Sequence, residues 1–122
     1  MNKYLLSDKV RLGIGDKIPK WQYYMRKAAH ANNRFMEFIY AVLCKIHKKN
    51  SLIEISYKQR IGYGLYVGHP YLITINPGSV LGNNINIHRG VTIGQENRGK
   101  RKGCPIIGDK VWIGINSTIV GG

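Results

Sequence analysis

Aliphatic side chains recur at every sixth residue through the second half of this chain, and that period restricts the fold more than any other feature. Ile75, Leu81, Ile87 and Ile93 stand six apart, and the step resumes at Ile107, Ile113 and Ile119. Glycine follows the leading residue at Gly82, Gly94, Gly108 and Gly114. Small or aliphatic residues come four places after the lead at Ser79, Ile85, Val91, Val111 and Ser117. Such hexapeptides are the signature of a parallel β-helix, in which three short strands make one coil and each leading side chain points inward. Glycine and asparagine between the strands fit corners that need positive φ.

Two irregularities interrupt the period. After Val67 the next lead is Ile75, eight residues on, and the extra pair lies in GHPYLIT. From Ile93 to Ile107 the step is fourteen, through GQENRGKRKGCPI, so eight inserted residues loop out of the solenoid. Departures from a regular pattern are where function concentrates.

With 122 residues, the chain has room for one ordinary domain or for a short cap on a repeat domain. Its net charge is +13, which calls for a polyanionic partner: nucleic acid, an anionic membrane or a phosphate-rich small molecule. Residues 1–60 hold 13 basic and 4 acidic residues, against 6 and 2 in 61–122. That first half reads as helix. Trp21, Tyr24, Met25, Ala28, Phe35, Phe38, Ile39, Val42, Leu43 and Ile46 recur at steps of three and four, the period of one buried helical face. Pro19 suits a first helical turn, and Asn32-Asn33 divides the run in two, with Asn33 capping the second helix. The expected division is a helical segment over 1–52 and a β-helix over 53–122. The basic helices make peripheral membrane contact a secondary expectation. Nucleic acid is not expected, because no helix-turn-helix, zinc or stacking motif accompanies the charge.

The longest apolar run, Phe38 to Cys44, is too short to span a membrane, and the start has no apolar core of signal-peptide length. Cys44 and Cys104 lie sixty residues apart, which implies neither a disulfide framework nor a structural zinc site. A cytoplasmic protein is the default.

At IGYGLYVGHP, NIHRGVTIG, the basic loop and PIIGDKVWIGINSTIVGG, the chain resembles the hexapeptide acyltransferases, in their serine acetyltransferase-like branch. The resemblance covers residues 50–122. It implies a left-handed solenoid, a homotrimer with acetyl-CoA bound between subunits, and a histidine in the extended turn as general base; His69 occupies that place. An acidic residue about one coil earlier orients the histidine in this branch, and Glu54 stands there. Hydroxyl groups are too weakly acidic to attack a thioester unaided near neutral pH. An imidazole accepts the proton, and a carboxylate on its far nitrogen holds the tautomer. No metal is needed.

His88 follows His69 by 19 residues, or 17 once the extra pair is removed, and so stands one coil away on nearly the same edge as an acceptor-binding candidate. Arg98, Lys100, Arg101 and Lys102 fit the phosphates of CoA. Gly114, Asn116 and Ser117 lie on coils whose backbone can line its pantetheine arm. Trp112 is expected at a subunit interface or in surface packing.

Several positions depart from the serine enzymes of this branch. Those enzymes place an aspartate before the catalytic histidine, where this chain has Gly68. They carry an Arg-His pair before the proline that closes the loop, where this chain has Gly103 and Cys104. The arginine there binds the acceptor's carboxylate. These departures favour a sugar hydroxyl of a surface polysaccharide or lipopolysaccharide as acceptor, with serine as the alternative. An antibiotic hydroxyl and a non-catalytic structural module are further options. A carbonic anhydrase on the same solenoid needs three histidines, and the solenoid offers only His69 and His88. Relatives continue with further coils, whereas residues 61–122 make just under three, so the β-helix is expected to be C-terminally incomplete.

Overall fold

The six-residue period becomes three parallel sheets of three strands each. The computed structural model describes residues 2–13 and 18–122. Strands β1 (Arg60–Ile61), β2 (Tyr66–Gly68), β3 (Thr74–Ile75), β4 (Val80–Leu81), β5 (Asn86–His88), β6 (Thr92–Gly94), β7 (Ile106–Ile107), β8 (Trp112–Ile113) and β9 (Thr118–Val120) follow in chain order. They pair as β1-β4-β7, β2-β5-β8 and β3-β6-β9, one sheet on each side of the solenoid.

The register contains both insertions. Thr74 pairs with Thr92, one regular coil of 18 residues. Arg60 pairs with Val80, two residues further, and Val80 with Ile106, eight further. The leading residues Val67, Ile75, Leu81, Ile87, Ile93 and Ile113 are buried, as are Leu65, Ser79, Ile85 and Val91 four places after a lead. In the first irregular turn the extra pair moves that second inward position to Ile73, which is buried while Tyr71 is exposed. Full burial of one such aliphatic side chain stabilises by roughly 1.5–3 kcal/mol, so stacked isoleucines hold each coil on the next. Positive φ recurs at the corners, at Gly64, Asn84 and Lys110 on one edge and at Gly90 and Asn116 on another. The glycine at 90 is needed twice over: its φ is +74°, and any Cβ there would meet the side-chain oxygen of Asn116 on the next coil.

Among the described residues three helices precede the solenoid: α1 (Lys3–Leu12), α2 (Lys20–Ala29) and α3 (Arg34–Lys48), followed by a 3-10 turn over Lys49–Ser51. The helical period read from the sequence begins at Pro19, so α1 is an addition. Pro19 is the capping residue of α2 and lies just outside its first turn. Asn33 caps α3 as expected, its Oδ1 accepting from the Met36 N–H at 2.8 Å. Among the described residues no helix is long and apolar enough to cross a membrane.

One expectation is corrected here. Trp21, Met25 and Ala28 are buried, but Phe35, Phe38, Val42 and Ile46 are 71, 68, 40 and 59% exposed. Apolar residues occupy most of the circumference of α3, so their spacing alone does not choose the buried face. Packing does: Tyr24 of α2 stacks on Tyr40 and His47, and Cys44 is buried with its Sγ 3.3 Å from the Trp21 carbonyl oxygen.

A buried polar clamp ties α1 and α2 to the first coil. The Asp8 carboxylate accepts from Arg26 Nε at 2.7 Å and Nη2 at 3.0 Å, from Gln22 Nε2 at 3.1 Å and from the Leu65 N–H at 2.8 Å. Arg26 also donates to the carbonyls of Ile61 at 3.1 Å and Gly62 at 2.7 Å. Residues 61, 62 and 65 belong to the solenoid's first coil, whose free backbone groups are thereby satisfied by helical side chains. At the exposed border of the clamp Tyr4 stacks between His30 and Tyr63. Burial, and then the neighbouring Arg26 charge, hold the His30 imidazole below its ordinary pKa.

Candidate active site

The two-residue insertion between β2 and β3 builds an extended corner. His69 opens it in a left-handed conformation, φ 51°, with its side chain exposed, and Leu72 is left-handed as well, φ 55°. Such a backbone is unfavourable outside glycine and persists where neighbours hold it. Here the Tyr71 N–H donates to the His69 carbonyl at 2.8 Å, the Leu72 N–H to Ser51 at 2.9 Å, and the Gly90 N–H of the next coil to Tyr71 at 3.0 Å. The turn is thus held from the helical side and from the coil beyond.

Glu54 lies just ahead of the first coil and pairs with Thr74 as a partial strand beside β3. The Glu54 N–H donates to Ile73 at 2.7 Å and its carbonyl accepts from Ile75 at 3.0 Å. Its exposed carboxylate lines a cleft of about 490 Å³ on the outer face of β3-β6-β9, with Lys48, Thr74, Asn76, Thr92 and Gly94. Among the described residues no side-chain hydrogen bond joins Glu54 to His69. The fold therefore brings the two to one side of the solenoid without a hydrogen bond between their side chains. Sequence reading missed the threonine, asparagine and glycine of this cleft. Their signal was available, since Thr74 and Asn76 flank the lead Ile75, and Thr92 and Gly94 flank Ile93, in positions that must face outward.

His88 stands one coil from the extended corner, paired with Gly68 and not with His69 itself. Its ring lies 4.6 Å from that of Trp112 and 6.4 Å from that of Tyr66, and its buried Nε2 has no hydrogen-bond partner among the described residues. A Cβ at Gly68 would stand 2.8 Å from His88 Nδ1. Glycine before His69 and the His88 rotamer are therefore one coupled arrangement. Gly68→Asp is expected to destabilise the fold by about 1–3 kcal/mol in urea denaturation, and His88→Ala to relieve most of that loss in the Gly68→Asp background. Additive effects in the double variant would refute the coupling. Trp112 is 65% exposed beside His88, on the outer face of β2-β5-β8.

The eight-residue insertion is a hairpin closed by Glu96 and Gly103, which exchange backbone hydrogen bonds of 2.9 and 2.8 Å. Arg98, Lys100, Arg101 and Lys102 are all exposed on it, and the Gly122 N–H donates to the Arg101 carbonyl at 2.9 Å. This loop joins β6 to β7, whereas the His69 turn joins β2 to β3, so the two border opposite edges of β3-β6-β9. Gly114, Asn116 and Ser117 fall between β8 and β9, on the His69 edge two coils along, roughly 10 Å at strand spacing. The Asn116 N–H donates to Arg89 at 3.0 Å, and Asn116 itself is exposed. The residues expected to meet CoA are thus divided between the two edges of one outer face. Gly103 and Cys104, at the base of the hairpin, present no cation; Cys104 Sγ lies 3.4 Å from Asn76 Oδ1.

Comparison with known proteins places this geometry. No family model matches the chain. The serine acetyltransferase of Helicobacter pylori is 30% identical over 96 residues, which cover 78% of this chain and 56% of that protein. The serine acetyltransferase of Staphylococcus epidermidis is 29% identical over 101 residues, 83% of this chain and 46% of that protein. The chain thus spans about half the length of the curated relatives it matches. Among solved structures, serine acetyltransferase isoform 3 of Entamoeba histolytica in complex with cysteine superposes with a TM-score of 0.74 at 20% identity, over 98% of this chain and 48% of that one. The Neisseria gonorrhoeae serine acetyltransferase in complex with serine gives 0.66 at 26% identity, over 98% and 55%. A serine acetyltransferase in complex with CoA gives 0.57 at 21% identity, over 84% and 40%. In fold the solenoid is the left-handed parallel β-helix of these proteins, and in sequence and fold together the chain is similar to the serine acetyltransferase-like branch of the hexapeptide-repeat acyltransferases.

Proposed function

We propose that this chain is the catalytic region of an acetyl-CoA-dependent O-acetyltransferase whose acceptor is the hydroxyl of L-serine, working as a homotrimer. The observation that carries the proposal is the left-handed His69 turn, held at the edge of the Glu54-lined outer face in a chain whose curated relatives are serine acetyltransferases. In the reaction His69 takes the proton of the acceptor hydroxyl as its oxygen bonds to the acetyl carbonyl carbon. The carbon–sulfur bond then breaks, and the imidazolium returns the proton to the leaving thiolate, giving O-acetylated acceptor and free CoA thiol. Glu54 acts through His69 by holding its orientation, once the extended turn brings the ring to the carboxylate. The exposed cations of the hairpin supply charge-assisted bonds to CoA phosphates, and the Gly114, Asn116 and Ser117 corner borders its pantetheine arm.

The relatives favour serine over the polysaccharide sugar expected from the sequence departures. A sugar hydroxyl remains the second reading on one observation: Gly68 and the Gly103–Cys104 pair offer neither the carboxylate nor the cation that an amino-acid acceptor would use. Thiol release from acetyl-CoA, measured with L-serine and with a panel of sugars and nucleotide sugars, separates the two. Serine-dependent release is expected. Release with a sugar and not with serine transfers the proposal to the second reading, and absence of release with every acceptor tried favours a binding module.

A further inference from the structure

The exposed side of α3 is a surface that the reaction does not use. Phe35, Phe38, Val42 and Ile46 are spaced three and four apart and form one apolar stripe, about 17 Å long at the helical rise. Single exposed apolar residues are ordinary, but a continuous stripe headed by two phenylalanines is not. Arg34, Lys45 and Lys49 are the exposed cations beside it. Among the described residues every exposed position of α3 is apolar or basic, and the helix's one carboxylate, Glu37, accepts instead from the Tyr57 hydroxyl at 3.3 Å. Lys48 likewise is turned away, donating to the Ile55 carbonyl at 2.8 Å.

We propose that this face of α3 docks on the surface of an anionic lipid bilayer, lying in the interface plane with the phenylalanines among the acyl chains and the cations on the headgroups. An apolar stripe flanked by lysine and arginine has the composition of interfacial helices, whose binding adds buried apolar area to attraction for anionic lipid. The charge pattern decides between a bilayer and a second copy of the chain. Packing two such faces together would gather the cations of both copies with no α3 carboxylate between them, a like-charge arrangement that opposes self-association. A negative surface relieves the same charges. The concentration of basic residues in the first sixty positions acts in the same sense.

Vesicle flotation tests this independently of the transferase reading, because it measures no turnover. Binding to vesicles of phosphatidylcholine and phosphatidylglycerol at 3:1 is expected to be at least about tenfold stronger than to phosphatidylcholine alone. The pair Phe35→Ser and Phe38→Ser, and separately Lys45→Glu and Lys49→Glu, should each weaken it by at least about tenfold, with circular dichroism unchanged because all four side chains are exposed. Absence of binding to the anionic vesicles overturns the proposal. So does binding that the phenylalanine variants leave intact, since adsorption would then be electrostatic and located elsewhere. Light scattering without lipid covers the remaining case: a smaller assembly in the phenylalanine variant assigns the face to a second copy and equally overturns docking on lipid.

Discussion

Turnover of acetyl-CoA by the His69→Ala variant is expected to fall by about a hundred- to ten-thousand-fold, with acetyl-CoA affinity nearly unchanged. The size follows from the role: the variant removes the base that takes the acceptor's proton and leaves the donor's contacts in place. His69 is exposed at the opening of the extended corner, and that corner is held by backbone hydrogen bonds through Tyr71 and Leu72. Alanine therefore removes the imidazole without removing the supports of the turn. The measurement is steady-state thiol release together with acetyl-CoA binding by calorimetry. Unchanged turnover removes His69 from the mechanism. Joint loss of turnover and binding, with altered circular dichroism, would instead assign the residue a structural role.

The second large effect is on stability. Asp8→Ala should destabilise the protein by about 3–5 kcal/mol, because it leaves the Arg26 guanidinium buried without its counter-ion. The side chains of this ion pair are 4% and 0% exposed, so solvent cannot replace the lost partner. The Leu65 N–H and Gln22 Nε2 lose an acceptor in the same substitution. Against a typical total of roughly 5–15 kcal/mol this threatens folding outright. Asp8→Ala combined with Arg26→Met should recover a substantial part, since an apolar replacement of both partners leaves no stranded charge. Urea denaturation measures both variants. A loss below about 1 kcal/mol in the single variant would show that the clamp does not carry the attachment of α1 and α2 to the first coil.

The clamp also shows where reading the sequence ends. Asp8 is an isolated acid among many cations, and no local pattern says that Arg26, Gln22 and the Leu65 N–H converge on it, or that Arg26 also reaches the carbonyls of residues 61 and 62. α3 makes the same point in reverse. Its apolar spacing predicts one buried face, but apolar residues lie on most sides of the helix, and the contact with α2 selects Cys44 and leaves Phe35 and Phe38 in solvent. For His88 the count of residues along the coil was enough to place it beside the extended corner. Its dependence on Gly68 was not legible, because that rests on a distance between side chain and backbone across two coils.

The coil, its three sides, both insertions and the corner that holds His69 were determined by the sequence alone. In a hexapeptide repeat every inward position is filled by a local rule, so counting along the chain is equivalent to tracing the fold. The tertiary structure alone decided what lies between distant segments: which face of α3 stays open, how helical side chains close the first coil, and that among the described residues no side-chain hydrogen bond joins Glu54 to His69. Those outcomes depend on which surfaces meet, and no period in a single chain segment encodes its partner.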